Sequence, residues 1–358
     1  MTTLLARANG ASLPPPLRVR PDMTSRWTNF DVDFDVAAHA IVTEHAKDGE
    51  AVDLPLLDLR TWGIVPVDGS FALAPLAKNH APKPLRANGF ANLAAKLSVP
   101  ADFLRDRLPA PLQLANLNYL LASAEKSQPA TLRLRGGEVA SLVSDRYAPF
   151  EQEALLSCVR DALIAQDALG AVQVKSIATG MVDVFRLVFP AEAKPVKVND
   201  ISSIGIDIST SSFGRSAIHV RGLVWRLKCT NGLVSPSTMG SFSFRHVGDV
   251  ERLRSSVSEA IPTALTLARG TFARWQQAVV TMVDDVAKMI ADMRDLSVCE
   301  RELVEAEVKR EAGVPELPEH LDLYSFINGI TSAAQQSAPA RRLELEAMAG
   351  EMLHARTS

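Results

Sequence analysis

Tight-turn dipeptides between alternating apolar runs constrain the fold of this 358-residue chain more than any other feature. Gly136-Gly137 separates two such runs, Thr131–Arg135 and Glu138–Val143, as the two-residue turn of a β-hairpin does. Thr179-Gly180 separates two further runs, and Asn231-Gly232 gives another turn signal. The middle of the chain is therefore predicted to form antiparallel sheet.

Helical periodicity flanks this region on both sides. Residues 85–121 and 151–166 carry apolar side chains at helical spacing. Residues 253–293 predict one or two long helices, interrupted near Pro262. Residues 323–330 and 340–354 predict a closing helical pair. The expected fold class is α+β, with a central antiparallel, hairpin-rich sheet packed against helices and long C-terminal helices.

Composition divides the chain into five segments. They are an N-terminal arm and acidic segment (1–60), an N-terminal helical region (61–125), a β-rich core (126–250), long helices (251–312) and a C-terminal helical region (313–358). Residues 1–27 carry four arginines, one acid and three consecutive prolines, which indicates a flexible basic arm. The acidic stretch after it either folds back on the arm or is a separate solvated segment.

Several classes of protein are excluded or disfavoured by the sequence. The net charge of −3 does not by itself indicate a polyanionic or membrane partner. The three dispersed cysteines are expected to be reduced thiols of a cytoplasmic protein, and no apolar run is long enough to span a membrane. No nucleotide-binding loop, zinc-ligand spacing or hydrolase elbow occurs, so no cofactor and no metal are expected.

A stretch without acids carries the functional prediction. Between Asp207 and Asp249 the sequence has no Asp or Glu. In the predicted strand 216–229 the phase of alternation changes after Gly222, and a β-bulge there would keep the basic side chains on one face. A turn at Arg221-Gly222 is the alternative interpretation. Such a face would neutralise phosphates and leave aromatic groups to stack on unpaired bases.

The predicted nucleic-acid contacts follow from this face. They are Arg215, His219, Arg221, Arg226, Lys228, Arg245 and His246, extended by Arg133, Arg135 and Arg146, with Trp225 as a stacking candidate. The opposing interpretation places the aromatic residues in the core and pairs the arginines with the protein's own acids.

A metal-dependent nuclease is the enzymatic alternative. It would use scattered acids such as Asp145, Asp183 and Asp207. Asp145 is explained more simply as an N-terminal cap for the helix that begins near Glu151, or as one partner of an ion pair. The chain is therefore expected to have no catalytic residues.

Four motifs, in order, resemble the phage- and plasmid-borne family called domain of unknown function 932. They are NGFANLAAKLSVPADFLRDRLP (88–109) with ANLNYLL (115–121), LVSDRYAPFEQEALL (142–156), HVRGLVWRLKCTNGLV (219–234) with FRHVG (244–248), and YSFINGITSAAQQSAPARRLELEAMAGEML (324–353). The resemblance covers roughly residues 60–355. It implies residence on a mobile element, no established reaction and a role around single-stranded DNA. At the level of the fold, the sheet backed by a long helix is similar to ring-forming strand-annealing recombinases.

Two functions are therefore expected. The first is a cytoplasmic homo-oligomer that binds single-stranded nucleic acid, DNA more than RNA, with strand annealing as its candidate activity. The second is a non-enzymatic interaction protein that binds a host protein through the acidic stretches 28–60 and 284–311, to modulate defence or the stress response.

Overall fold

The computed structural model describes residues 14–23, 26–56, 58–77, 81–124, 129–227, 231–234 and 241–357. These residues form two units with separate cores. The first unit takes its described residues from 1–23 and 46–147, and the second takes them from 24–45 and 148–358. Mixed helices and antiparallel sheets confirm the predicted α+β class.

The elements are numbered in chain order. The strands are β1 (Arg26–Asp33), β2 (Ala51–Leu56), β3 (Trp62–Val67), β4 (Ser70–Pro75), β5 (Lys83–Pro84), β6 (Ala130–Arg135), β7 (Glu138–Ser144), β8 (Gln173–Thr179), β9 (Asp183–Val188), β10 (Lys194–Lys197), β11 (Asp200–Thr210), β12 (Ile218–Arg226), β13 (Asn231–Val234), β14 (Ser241–Phe244), β15 (Met282–Val283) and β16 (Leu321–Asp322). The helices are α1 (Phe34–Ala46), α2 (Ala87–Lys96), α3 (Ala101–Asp106), α4 (Ala110–Ser123), α5 (Gln152–Ile164), α6 (Val250–Gln277), α7 (Val286–Ala291), α8 (Val298–Ala312), α9 (Leu323–Ala334) and α10 (Pro339–Arg356).

The first unit combines two three-stranded sheets, β2–β6–β7 and β3–β4–β5, with helices α2 to α4. Its β6–β7 hairpin turns at Gly136 and Gly137, whose φ angles of 55° and 81° suit a glycine pair. The region expected to be helical from residue 61 begins instead with strands β3 and β4. Here tertiary pairing of Trp62 with Pro75 decides the structure.

Part of the predicted flexible arm is held against the first unit. The backbone N–H of Arg18 donates to the Gly69 carbonyl at 3.0 Å, and that of Arg20 donates to the Leu85 carbonyl at 2.9 Å. Leu17 is buried. Flexibility was therefore the wrong expectation for these residues, because their backbone groups add to the β4–β5 strand edges; residues 1–13 and 24–25 lie outside the described chain.

The second unit is built on an eight-stranded antiparallel sheet. Its strand order is β1–β8–β9–β11–β12–β13, with β10 also paired to β11 and β14 to β12. Ile204, Ile206 and Ile208 of β11 lie in the main core. The polar residues of β11 that face the other side of the sheet are buried as well.

Strand β12 runs through Gly222 without a bulge. Its register against β11 is continuous from His219, opposite Ser209, to Arg226, opposite Ser202. The predicted bulge is therefore wrong, as is the alternative turn. The turn signal at Asn231-Gly232 is also misplaced, because both residues belong to β13.

The C-terminal helices follow the prediction with one correction. Helix α6 continues through Pro262 for 28 residues, where an interruption was expected. A proline inside a helix costs roughly 3 kcal/mol, and the neighbouring Ile261 and Ala264 are fully buried in the core, which offsets it. Helices α9 and α10 confirm the predicted closing pair. Within the described part of the chain, no helix has the length and apolar character to cross a bilayer.

Candidate nucleic-acid interface

Arg221 and Arg226 lie on opposite faces of β12. Side chains alternate along an unbroken strand, so residues five positions apart point to opposite sides of the sheet. Arg226 shares its face with core residue Val224, whereas Arg221 shares its face with Trp225. The prediction that the basic residues of this strand line one face is therefore wrong, because it depended on the bulge.

Trp225 is not available to stack on a base. Its side chain is 1% exposed and packs against Val188 and Leu223. Trp225 is therefore a core residue, as the opposing interpretation of the sequence predicted.

Arg226 is neutralised inside the protein. Its Nε donates to both carboxylate oxygens of Asp200 at 2.9 Å, and its Nη1 donates to Glu311 Oε2 at 2.9 Å. Burial alone lowers the pKa of Arg226, but the hydrogen bond to Asp200 and the charge of Glu311 raise this pKa above its usual value. Arg226 is therefore a buried ion-pair residue, and its assignment as a phosphate contact is corrected.

A buried charge cluster occupies the other face of the sheet. It consists of Arg186, Asp207, Arg221, Arg342 and Glu346. Arg186 Nε donates to Asp207 Oδ2 at 3.0 Å, and both terminal nitrogens of Arg186 donate to Glu346. Arg221 Nε donates to Asp207 Oδ1 at 3.1 Å, and Arg342 Nε donates to Glu346 Oε1 at 2.9 Å.

The indole of Trp27 contacts two members of this cluster. The guanidinium carbons of Arg186 and Arg342 lie 4.6 and 4.2 Å from the centre of its ring. Such cation–π contacts stabilise a buried guanidinium that has few water molecules around it. Trp27 of strand β1 therefore lies on the face of the sheet against which helix α10, with Arg342, packs.

The charge cluster has three guanidinium groups and two carboxylates. Arg186, Asp207 and Glu346 have no exposed surface, whereas Arg221 is half-buried. Burial raises the pKa of Asp207, but the charges of Arg221 and Arg186 outweigh this effect and hold the pKa below its usual value. Asp207 is thus ionised. The guanidinium groups of the cluster outnumber its carboxylates, and Arg221 is the member that reaches solvent.

Strand β14 places hydroxyl groups beside this opening. Ser241 lies directly opposite Arg221, and Ser243 lies directly opposite His219. Because cross-strand partners share a face, these four side chains lie on one side of the sheet. Nη1 of Arg221 forms no hydrogen bond with a described residue and is free to donate to a ligand.

Two exposed arginines extend this surface. Arg215 precedes β12 and Arg245 follows β14, so both lie at the same end of the strand pair. Both are exposed, and neither forms an ion pair with a described residue. We call the set Arg215, His219, Arg221, Ser241, Ser243 and Arg245 the basic patch.

The histidine of the basic patch is sensitive to its surroundings. Burial lowers the pKa of His219 below 6.5, and the neighbouring charge of Arg221 lowers it further, although Asp207 opposes the effect. His219 is therefore neutral at pH 7 and acts there as a hydrogen-bonding group.

The remaining predicted contacts are dispersed. Lys228 lies outside the described residues. His246 is buried, with Nε2 3.2 Å from Thr210 Oγ1. The last three belong to the first unit: Arg133 and Arg135 are buried, whereas Arg146 is exposed. Arg133 pairs with Asp53 at 3.3 Å, so it does not extend a phosphate track.

A hydrogen-bonded network that the sequence did not predict fixes the loop after β11. Asp183 Oδ1 lies 2.8 Å from His45 Nε2, and Asp183 Oδ2 accepts from Gln152 Nε2 at 2.6 Å. Gln152 Nε2 also donates to Ser212 Oγ at 3.1 Å. All four residues are buried, and 138 positions separate His45 from Asp183, so no local spacing signals the network.

The neighbouring serine fixes the start of the basic patch. Ser211 Oγ accepts from the backbone N–H of Arg215 at 3.1 Å and donates to the Met181 carbonyl at 2.6 Å. A serine hydroxyl that bonds its own loop holds a turn in one conformation. The backbone of Arg215 is therefore positioned before any ligand binds.

Two of the three acids named for the nuclease alternative have structural partners. Asp183 bonds His45 and Gln152, and Asp207 belongs to the charge cluster. Asp145 is exposed, and the N-cap of α5 is Glu151, so the capping role expected of Asp145 is wrong. No group of three or more metal-ligating side chains occurs among the described residues.

The second unit thus defines a class: an α+β protein whose antiparallel sheet buries a charge cluster and exposes a basic patch. A family model described as Domain of unknown function (DUF932) matches residues 139–344, more than half of the chain. The chain belongs to this family. The matched residues begin at β7, end within α10 and include the whole basic patch. No curated protein and no solved structure matches the chain.

Proposed function

We propose that this protein binds single-stranded nucleic acid through the basic patch, as a non-enzymatic binder of the sugar-phosphate backbone. The observation that carries the proposal is the uncompensated positive charge at Arg221, beside exposed Arg215 and Arg245. Guanidinium groups neutralise phosphates, and serine hydroxyls hydrogen-bond the same oxygens. The interface is narrower than the sequence predicted, because Arg226 and Trp225 are buried.

The absence of local acids supports the same proposal. Asp207 is the one acid between residues 201 and 248, and its charge is shared between Arg186 and Arg221. A strand of nucleic acid would therefore meet no unpaired carboxylate from these residues. With Trp225 buried, we expect backbone recognition with little preference among bases.

The alternative, a protein that binds a host factor through acidic stretches, receives less support. Asp31 and Asp35 pair with Lys175 and Arg160. In the second stretch, Glu300 pairs with Arg341. Acids that already pair with the protein's own cations offer less charge to a partner. Binding of a host protein is therefore treated as one possible result of the experiments described below.

Salt dependence tests the proposal. The affinity for a fluorescent 30-nucleotide oligo(dT) is measured by anisotropy between 50 and 300 mM salt. Three phosphate contacts predict a slope of log K against log salt of about −2, since single strands give about −0.7 per contact. Replacing Arg215 and Arg245 together by Ala is expected to reduce the slope to about −0.7. Arg294→Ala, an exposed arginine far along the chain, is the matched control.

Three results would count against the proposal. They are no binding at 50 mM salt, a slope near zero, and equal losses in the double variant and the Arg294→Ala control. A matched oligo(U) distinguishes RNA from DNA. Mass measurement with and without oligonucleotide tests the homo-oligomer: discrete large rings favour strand annealing, and stoichiometric capture of one host protein without nucleic acid favours the alternative.

A further inference from the structure

A groove of about 850 Å³ lies in the first unit, apart from the basic patch. Strands β2 to β5 contribute its lining. Most of the lining is apolar and comes from Leu54, Pro55, Trp62, Pro75 and Leu76. Small-molecule sites of proteins typically measure about 300–1,000 Å³ and have such a lining with a few polar groups.

The frame of this groove is built by backbone pairing. Trp62 pairs with Pro75 across β3 and β4, and the Leu76 N–H donates to the Thr61 carbonyl at 2.8 Å. These bonds fix the backbone at Leu76, whose side chain is 66% exposed. Leu76 does not stand alone, because it shares the groove with Leu54, Trp62 and Pro75, and a continuous exposed apolar surface of this kind is typical of a binding groove.

Among the described lining residues of the groove, one lysine carries a positive charge without an acidic partner. Arg60 also lines the groove, but its Nε and Nη2 donate to the Asp58 carboxylate at 3.0 and 2.7 Å. That hydrogen bond and the charge of Asp58 raise the pKa of Arg60 and cancel its charge locally. Lys83 forms no ion pair with a described residue. The described lining therefore combines an apolar floor with the uncompensated ammonium group of Lys83.

We infer that this groove binds an apolar organic monoanion. The apolar body of the ligand covers Leu76 and Trp62, and its anionic group lies at Lys83. Charge complementarity selects an anion over a neutral or cationic molecule of the same shape, because the ammonium of Lys83 is the one charge left unpaired among the described lining residues. The site is independent of the proposed function, since it shares no residue with the basic patch.

Two fluorescent probes with the same apolar framework test this inference. One is the anion 8-anilinonaphthalene-1-sulfonate, and the other is the neutral N-phenyl-1-naphthylamine. We expect the anion to bind wild type about two- to fivefold more tightly than the neutral probe, as for one partly exposed ion pair. Lys83→Gln should remove that preference and leave the neutral probe unchanged. Leu76→Ser should weaken both probes about tenfold.

Two control variants test whether the change in probe binding comes from the groove. Lys96→Gln removes another exposed lysine of the same unit, and Leu112→Ser removes another exposed leucine. Both variants should bind the probes as wild type does. The inference is overturned if the Leu76 and Lys83 variants behave like these controls, or if wild type binds the neutral probe as tightly as the anion.

Discussion

Arg186 and Asp207 lie side by side on neighbouring strands and form an ion pair in which neither side chain is exposed. Asp207 holds Arg221 through its other oxygen, so one carboxylate fixes two strands. Removing one partner of a buried pair leaves the other charge uncompensated.

We expect Asp207→Asn to lower the free energy of unfolding by about 3–5 kcal/mol, because Arg186 and Arg221 would then repel each other in the core. Urea denaturation measures this. The control is Asp102→Asn, which breaks an exposed pair with Arg105 and should cost no more than about 1 kcal/mol. Equal effects in the two variants would contradict the role given to the charge cluster.

Substitution of Arg226 should change the stability of the protein and leave its affinity for nucleic acid unchanged. Arg226→Met leaves buried Asp200 without its cation and leaves Glu311 with Arg310 alone at 3.6 Å, so we expect a loss of about 3–5 kcal/mol in the free energy of unfolding. Oligonucleotide affinity of the folded variant should match wild type, because the side chain does not reach the basic patch. Weaker binding by a variant that remains folded at the assay temperature would restore Arg226 as a phosphate contact.

Two glycines give opposite expectations for substitution by Ala. A Cβ at Gly205 would lie 2.1 Å from the Leu187 carbonyl oxygen of the paired strand, so Gly205→Ala should destabilise the protein by roughly 1–3 kcal/mol or more. Gly270 lies inside α6 with no atom near its missing Cβ. Gly270→Ala should stabilise by about 0.5–1 kcal/mol. Thermal and urea unfolding compare them, and a common sign for both would contradict the sheet register.

The pKa of His219 measures the effect of burial and of the positive charge of Arg221 in the basic patch. The pKa of His219 in the folded protein lies below the ordinary 6.5. Between 6.5 and this lower pKa the unfolded chain binds a proton at His219 and the folded chain does not, so the free energy of unfolding falls as the pH drops through this range. NMR titration of the imidazole should show the lowered pKa. Arg221→Met should raise it by removing a neighbouring positive charge. A titration at 6.5 or above in wild type would contradict this account.

Glu300 gives a second pH dependence with a different window. Hydrogen bonds from Arg341 and from the Ser297 backbone lower the pKa of Glu300 from 4.5 to about 2. Its contribution to stability is therefore present above about pH 4.5 and is lost as the pH falls towards 2. The difference in stability between wild type and Glu300→Gln should shrink across that range. A difference that stays constant with pH would remove Glu300 as its source.

The sequence predicted those parts of the fold that depend on local patterns. The β6–β7 hairpin follows from Gly136 and Gly137, whose positive φ angles a two-residue turn requires. Helices α5, α9 and α10 follow from their apolar periodicity. Strands β3 and β4 were missed, because their partners are set by tertiary pairing and their prolines disguise strand character.

The site was predicted only in part, since charge patterns do not show what a side chain faces. The acid-free stretch led to a cation-rich strand, but the acids that pair with it and with the charge cluster lie outside the stretch. Asp200 and Asp207 come from the neighbouring strand β11, whereas Glu311 and Glu346 come from helices α8 and α10. The wrong bulge at Gly222 followed from counting polar residues as exposed. In this sheet, arginine alternates with apolar residues on both buried faces.

Glu346 follows Arg186 by 160 residues in the chain. At roughly 5–20 residues per second, a ribosome adds that length in roughly 8–32 s. During that interval β9, β11 and β12 can already associate, while Arg186 lacks the second of its two carboxylates. The second unit can therefore complete its folding only after its last helix has been synthesised. In a nascent chain halted before residue 346, Arg186 would lack the carboxylate of Glu346.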